Sequence, residues 1–142
     1  MNYALKEAQK AYKKMDVPVG CVIVYNGKVI ARGYNKREKD QNVIKHAEIE
    51  AIDKACKTLK SWRLNDCTIY TTLFPCPMCA SAIQQSRISK LVYLNDTNNK
   101  VLNDISLNIL FNENLNHRVK IDKISLENSI IDDFFEKIRK EK

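Results

Sequence analysis

No stretch of the sequence stays apolar for the roughly 20 residues that a bilayer crossing requires, and the first residues hold no secretory apolar core. The expected setting is therefore the cytoplasm, with no membrane contact. Internal repeats and low-complexity linkers are also missing, so one compact domain over residues 1–142 is the expected organisation. Five cysteines are an odd number and lack the spacing of a secreted disulfide framework, in keeping with a reducing compartment. What the chain does hold is 44% hydrophobic residues, enough over 142 residues to bury a core without a metal as its only staple.

The order of apolar patterns is α/β. Ala4, Leu5, Ala8, Ala11, Tyr12 and Met15 mark a first amphipathic helix ending before Pro18. Val19 to Tyr25 and Lys28 to Tyr34 read as strands, joined by Asn26-Gly27, a strong two-residue hairpin signal. A polar stretch from Asn35 to Lys45 follows. His46 to Leu59 reads as a helix, Thr68 to Leu73 as a strand, Cys76 to Ser86 as a helix and Ile88 to Leu94 as a strand. Asp96 to Lys100 is rich in turn formers, Leu102 to Phe111 is a weaker helix, Val119 to Ile124 a fifth strand, and Leu126 to Lys140 a closing amphipathic helix. A central mixed sheet of five strands with helices on both faces accommodates this order.

Two short motifs carry the chemistry: His46-Ala47-Glu48 and Pro75-Cys76-Pro77-Met78-Cys79. His46, Cys76 and Cys79 supply three zinc ligands, leaving the fourth tetrahedral position open for a water whose pKa the metal would lower. Glu48 need not be a ligand, and would move the protons. H-x-E followed by P-C-x-x-C is the signature of zinc-dependent nucleobase deaminases. A redox reading of Cys76 and Cys79 leaves His46 and Glu48 unexplained, whereas a closed structural zinc site needs a fourth ligand. The remaining cysteines, Cys21, Cys56 and Cys67, read as small buried residues within apolar elements. Both sulfurs of the C-x-x-C pair can face one point at a helix start, where free N–H groups favour thiolates. His46 and Glu48 are two apart, so they can share a site only if it sits over a helix end.

These motifs sit within a longer resemblance. Val17-Pro18-Val19-Gly20-Cys21-Val22-Ile23-Val24, Gly33-Tyr34-Asn35, Thr72-Leu73-Phe74-Pro75-Cys76-Pro77-Met78-Cys79-Ala80, Ser86-Arg87-Ile88 and Asn116-His117-Arg118-Val119 resemble successive blocks of the bacterial tRNA-specific adenosine deaminases, in the cytidine/deoxycytidylate deaminase superfamily. The resemblance implies a three-layer α/β/α cytidine-deaminase-like fold, one Zn2+ per chain and a homodimer. It also implies hydrolytic conversion of adenosine to inosine at the wobble position of a tRNA anticodon stem-loop, mainly of an arginine tRNA. Asn35 would hydrogen-bond the flipped adenine, and Val19 would pack near it. Asn116, His117 and Arg118, with Phe134, Phe135, Lys137 and Arg139 of the last helix, would help to hold the anticodon loop. Phe74 departs from the glutamate usual in its block, and Asp96 to Asp104 lacks the family's Gly-rich stretch.

A formal charge of +7, with lysines and arginines clustered near the start, before His46 and at the end, suits an RNA partner. Two other functions use the same residues. A small-molecule cytosine, cytidine or guanine deaminase would need only the zinc and glutamate chemistry, and a non-catalytic zinc protein binding tRNA would need only the metal site. The presence of Glu48 speaks against the latter.

Overall fold

The computed structural model describes residues 1–141. Its elements are α1 (Asn2–Lys13), β1 (Gly20–Tyr25), β2 (Lys28–Tyr34), α2 (Arg37–Asp40), α3 (Ala47–Leu59), β3 (Cys67–Leu73), α4 (Pro77–Gln85), β4 (Lys90–Asn95), α5 (Lys100–Leu110), β5 (Lys120–Lys123) and α6 (Ile130–Glu141). Asn26 and Gly27 both take positive φ, 50° and 75°, the geometry that matches the twist of a tight hairpin. They fold β2 back on β1. β1 then pairs antiparallel with β3, while β3, β4 and β5 run parallel, giving the order β2-β1-β3-β4-β5. Parallel neighbours need crossovers, and α4 and α5 provide them. The sheet is the five-stranded mixed one that the sequence suggests.

Two glycines show how the layers meet. A Cβ on Gly20 would lie 1.9 Å from the Ala4 carbonyl oxygen and 2.3 Å from the Ala8 nitrogen, both in α1. A Cβ on Gly33 would lie 2.3 Å from the Ala47 oxygen and 2.8 Å from the Ala51 nitrogen, both in α3. Gly33 pairs with Cys21, next to Gly20 in β1, so the two glycines point to opposite faces of the pleat. Hence α1 covers one face and α3 the other. Alanines at the contact positions, Ala4, Ala8 and Ala11 in α1 and Ala47, Ala51 and Ala55 in α3, let both helices ride close to the backbone. Ile23, Ile69, Ile83 and Leu91 fill the core on the α3 side with no exposed surface. Cutting any of them to alanine would cost about 2–5 kcal/mol.

Several boundaries differ from those expected, each for a local reason. Met15 is not on the α1 face but in an exposed turn at φ 63°, which frees Asp16 to turn inward and become buried. Residues 35–45 contain the short α2. α5 starts at Lys100, because the Asn99 side chain accepts the Leu102 backbone N–H at 3.1 Å as an N-cap. α6 starts at Ile130 rather than Leu126. Asn128 instead uses its amide on Asn95 and on the Leu126 carbonyl, a local bonding that competes with helix. Cys21 and Cys67 are buried as expected, whereas Cys56 is only half-buried.

Candidate active site

α3 and α4 lie on one side of the sheet with their N-termini brought together. His46 is the N-cap of α3 in extended conformation (φ −81°, ψ 154°), which places it just outside the helix, while Glu48 is the second helical residue. That is the arrangement over a helix end that their spacing demanded. Cys76 is likewise the extended N-cap of α4, Pro77 opens the helix where its missing N–H is harmless, and Cys79 follows in the first turn.

His46 Nδ1 stands 3.7 Å from Cys76 Sγ and 3.5 Å from Cys79 Sγ, and the three ligand atoms lie within 4.8 Å of one another. Tetrahedral zinc with ordinary Zn–S and Zn–N lengths needs N···S separations of about 3.6 Å. The three side chains therefore fit zinc, with a fourth direction left for another ligand.

Charge favours the same ion. The hydrogen bond from Cys79 lowers the Cys76 thiol to about 4, with His46 acting in the same direction. The Cys79 thiol is pushed far up, by that shared hydrogen bond first and by burial second. The pair thus holds one proton, which a dication would displace. His46 is raised chiefly by its bond to Cys76, opposed first by burial and less by the Arg37 charge. Glu48, 4% exposed, is driven up to about 7 chiefly by burial, against the pull of its own backbone N–H. A carboxyl poised there can both take and give a proton near neutral pH.

His46, Glu48 and Cys76 line a cleft of about 130 Å³ with Val19, Asn35, Arg37, Ala47, Leu73, Phe74 and Thr97. The volume is well below the roughly 300–1,000 Å³ of drug-sized sites, so it admits about one ring system. Asn35 donates its amide N–H to the Val17 carbonyl and accepts the Arg37 backbone N–H, each at 3.1 Å. One amide proton and one lone pair remain for a ligand. Phe74 packs edge-on to Tyr93, ring centroids 4.8 Å apart, and forms an apolar wall. As an uncharged side chain it adds no charge to the cleft and leaves the three metal-binding side chains untouched.

The remaining candidates fall elsewhere. Asn116, His117 and Arg118 precede β5, at the end of the sheet opposite the cleft. The His117 ring bonds the Ile88 carbonyl at 2.8 Å, and its own carbonyl accepts from Gln84. Within one chain they do not meet Glu48. Phe134 is buried against Tyr12, centroids 5.7 Å apart, so it packs α6 onto α1 and offers no face to a base. Phe135 is 44% exposed and lines a groove of about 420 Å³ that shares Leu73 and Thr97 with the cleft. Lys137 lies over the Tyr12 ring, and Arg139 is exposed. Thr97 and Asp16 carry no signal in the sequence, whereas Arg37 belongs to the basic cluster before His46.

Three ligands with an open fourth direction, beside a buried carboxyl at one small cleft, define a hydrolytic deaminase of the cytidine-deaminase-like class. The family model for MafB19-like deaminases matches residues 1–139. The tRNA-specific adenosine deaminase of Bacillus subtilis (strain 168) is 43% identical over all of this chain and 90% of its own. A solved structure from work on A-to-I editing by tRNA:A34 deaminases at the wobble position of transfer RNA superposes with TM-score 0.78 at 35% identity, covering 87% of this chain and 95% of that one. The guanine deaminase of Bacillus subtilis superposes with TM-score 0.66 at 28% identity, over 98% and 90% of the two chains. The chain belongs to the MafB19-like deaminases and, among them, to the bacterial tRNA-specific adenosine deaminase family.

Proposed function

We propose that this protein converts adenosine to inosine at the wobble position of a tRNA anticodon, arginine tRNA first among its substrates. The observation that carries the reading is the whole-length similarity to a tRNA-specific adenosine deaminase, with Glu48, Asn35 and the His46, Cys76 and Cys79 cluster meeting in one cleft. Those three side chains would hold zinc, which would supply a water acidified toward neutrality. Glu48 takes a proton from the attacking water and delivers it to the ring nitrogen beside C6. It then passes the second proton to the amino group. The C6–N bond breaks, ammonia leaves, and a C6–O bond remains. Asn35 reads the purine edge with its spare donor and acceptor, and Val19 and Phe74 hold the ring flat. The exposed Phe135 borders the groove beside the cleft and suits an unpaired base, and Lys137 and Arg139 add positive charge to the same helix.

A second reading, a free-purine deaminase, draws on the similarity to guanine deaminase. Incubation with an arginine tRNA carrying an ACG anticodon, then reverse transcription, tests the choice, because inosine is read as guanosine. The expected result is conversion of the wobble base with negligible ammonia from guanine, cytidine or free adenosine. An unchanged tRNA with rapid ammonia release from guanine reverses the assignment. The family implies a homodimer, which light scattering would show as twice the 16.4 kDa chain mass.

A further inference from the structure

We propose that Arg37 binds a backbone phosphate of the nucleotide whose base enters the cleft, with buried Asp16 as the residue that positions it. The proposal rests on the RNA reading above. A cleft of about 130 Å³ takes the base and leaves the sugar and both phosphates at its mouth. Arg37 is the one permanent cation among the lining residues, and its charge is felt as far as His46. Three of the neighbouring cations are already engaged. Lys36 and Lys45 both pair with Glu50, at 3.5 and 3.2 Å, and Lys14 donates to the Tyr34 hydroxyl at 2.8 Å. Among the described residues, the Arg37 guanidinium has no ion pair and no hydrogen bond to another residue.

Its backbone, by contrast, is fixed on every side. The Arg37 N–H binds Asn35, and its carbonyl accepts the Asn42 N–H at 3.0 Å. The next two N–H groups, of Glu38 and Lys39, donate to the two carboxylate oxygens of Asp16 at 2.7 and 3.0 Å. Asp16 is 1% exposed, and burying a carboxylate is costly unless such donors meet it. The chain thus uses a buried charge to anchor a single turn at the edge of the cleft. The product of that anchoring is a planar fork of donors, unpaired at the end of a fixed backbone, at the mouth where a phosphodiester would pass.

The test uses the zinc-loaded full chain and an anticodon stem-loop RNA with a wobble adenosine. Affinity and steady-state turnover would be measured across a salt series for the wild type, Arg37→Gln and Arg37→Lys. Arg37→Gln should weaken RNA binding and raise KM about tenfold, with kcat changed far less, and should reduce the salt slope by about one. Arg37→Lys should keep the slope and recover part of the affinity. Replacing one linkage beside the wobble nucleotide with a neutral methylphosphonate should weaken the wild type and leave Arg37→Gln unaffected. Asp16→Asn should raise KM in the same way while zinc content stays at one per chain. Wild-type affinity and slope in Arg37→Gln, or equal sensitivity of both proteins to each neutral linkage, would overturn the Arg37 assignment alone. A wild type that neither binds nor deaminates the stem-loop would overturn the RNA reading and this proposal with it.

Discussion

Replacing Gly33 with alanine tests how tightly the sheet sets the metal geometry. The new Cβ would lie 2.3 Å from the Ala47 oxygen and 2.8 Å from the Ala51 nitrogen, where 3.4 Å is the lower edge of ordinary contact. Neither atom belongs to a flexible side chain, so α3 must move off the sheet by about 1 Å. Overpacking of this kind costs about 1–3 kcal/mol, and the upper end applies where backbone meets backbone. The shift would carry His46 and Glu48 with it, because His46 caps α3 and Glu48 lies in its first turn. Cys76 and Cys79 ride on α4 and would stay behind. Zinc ligands tolerate about 0.2 Å, so a 1 Å displacement should weaken zinc in a chelator competition. Misplacement on that scale should also lower kcat about a hundredfold. Gly27→Ala is the matched control: no atom lies within 4 Å of its Cβ, and only the positive φ resists it. It should cost about 1 kcal/mol in urea unfolding with zinc affinity and turnover intact. A Gly33→Ala protein with wild-type zinc affinity and turnover would refute the argument.

Glu48→Gln should keep one zinc per chain by elemental analysis while slowing turnover by about 10²–10⁴, and near-normal turnover would remove Glu48 from the chemistry. In the metal-free protein, Glu48 is raised from 4.5 to about 7, so the folded state binds more protons than the unfolded one between those values. Its stability should therefore fall as pH rises through that window and level off above it, and Glu48→Gln should flatten the slope in chemical unfolding. Phe74→Ala should cost about 3–5 kcal/mol through loss of the packed ring against Tyr93, and a loss under 1 kcal/mol would show that this wall is dispensable.

The hairpin, the succession of helices and strands and the metal cluster were legible in the sequence because each is written in a local rule. Asn26-Gly27 suits only a backbone with positive φ, the strands alternate or run apolar as their burial demands, and ligand spacing follows from helix geometry. Element ends were less legible, since Asn99 and Asn128 act through side-chain bonds to partners that the pattern of apolar residues does not reveal. Phe134 shows the same limit. An aromatic pair near the C-terminus reads equally as a stacking platform or as core, and only its packing on Tyr12 decides for core. His117 was invisible as a structural tie because its acceptor, the Ile88 carbonyl, is 29 residues away. Asp16 was passed over because acids just after a helix are common, and nothing local announces that its partners lie 22 and 23 residues further on.

The division of the ligand set between two helices also fixes an order of events during synthesis. His46 leaves the ribosome 30 residues ahead of Cys76 and 33 ahead of Cys79. Until β3 and the start of α4 emerge, the nascent chain carries a lone imidazole and no chelate. When the two thiols arrive they stand next to that imidazole only if β3 has already seated beside β1, so ion capture reports a correctly registered sheet. A chain whose strands mispair leaves the three ligand atoms apart, so sheet register and metal retention stand or fall together.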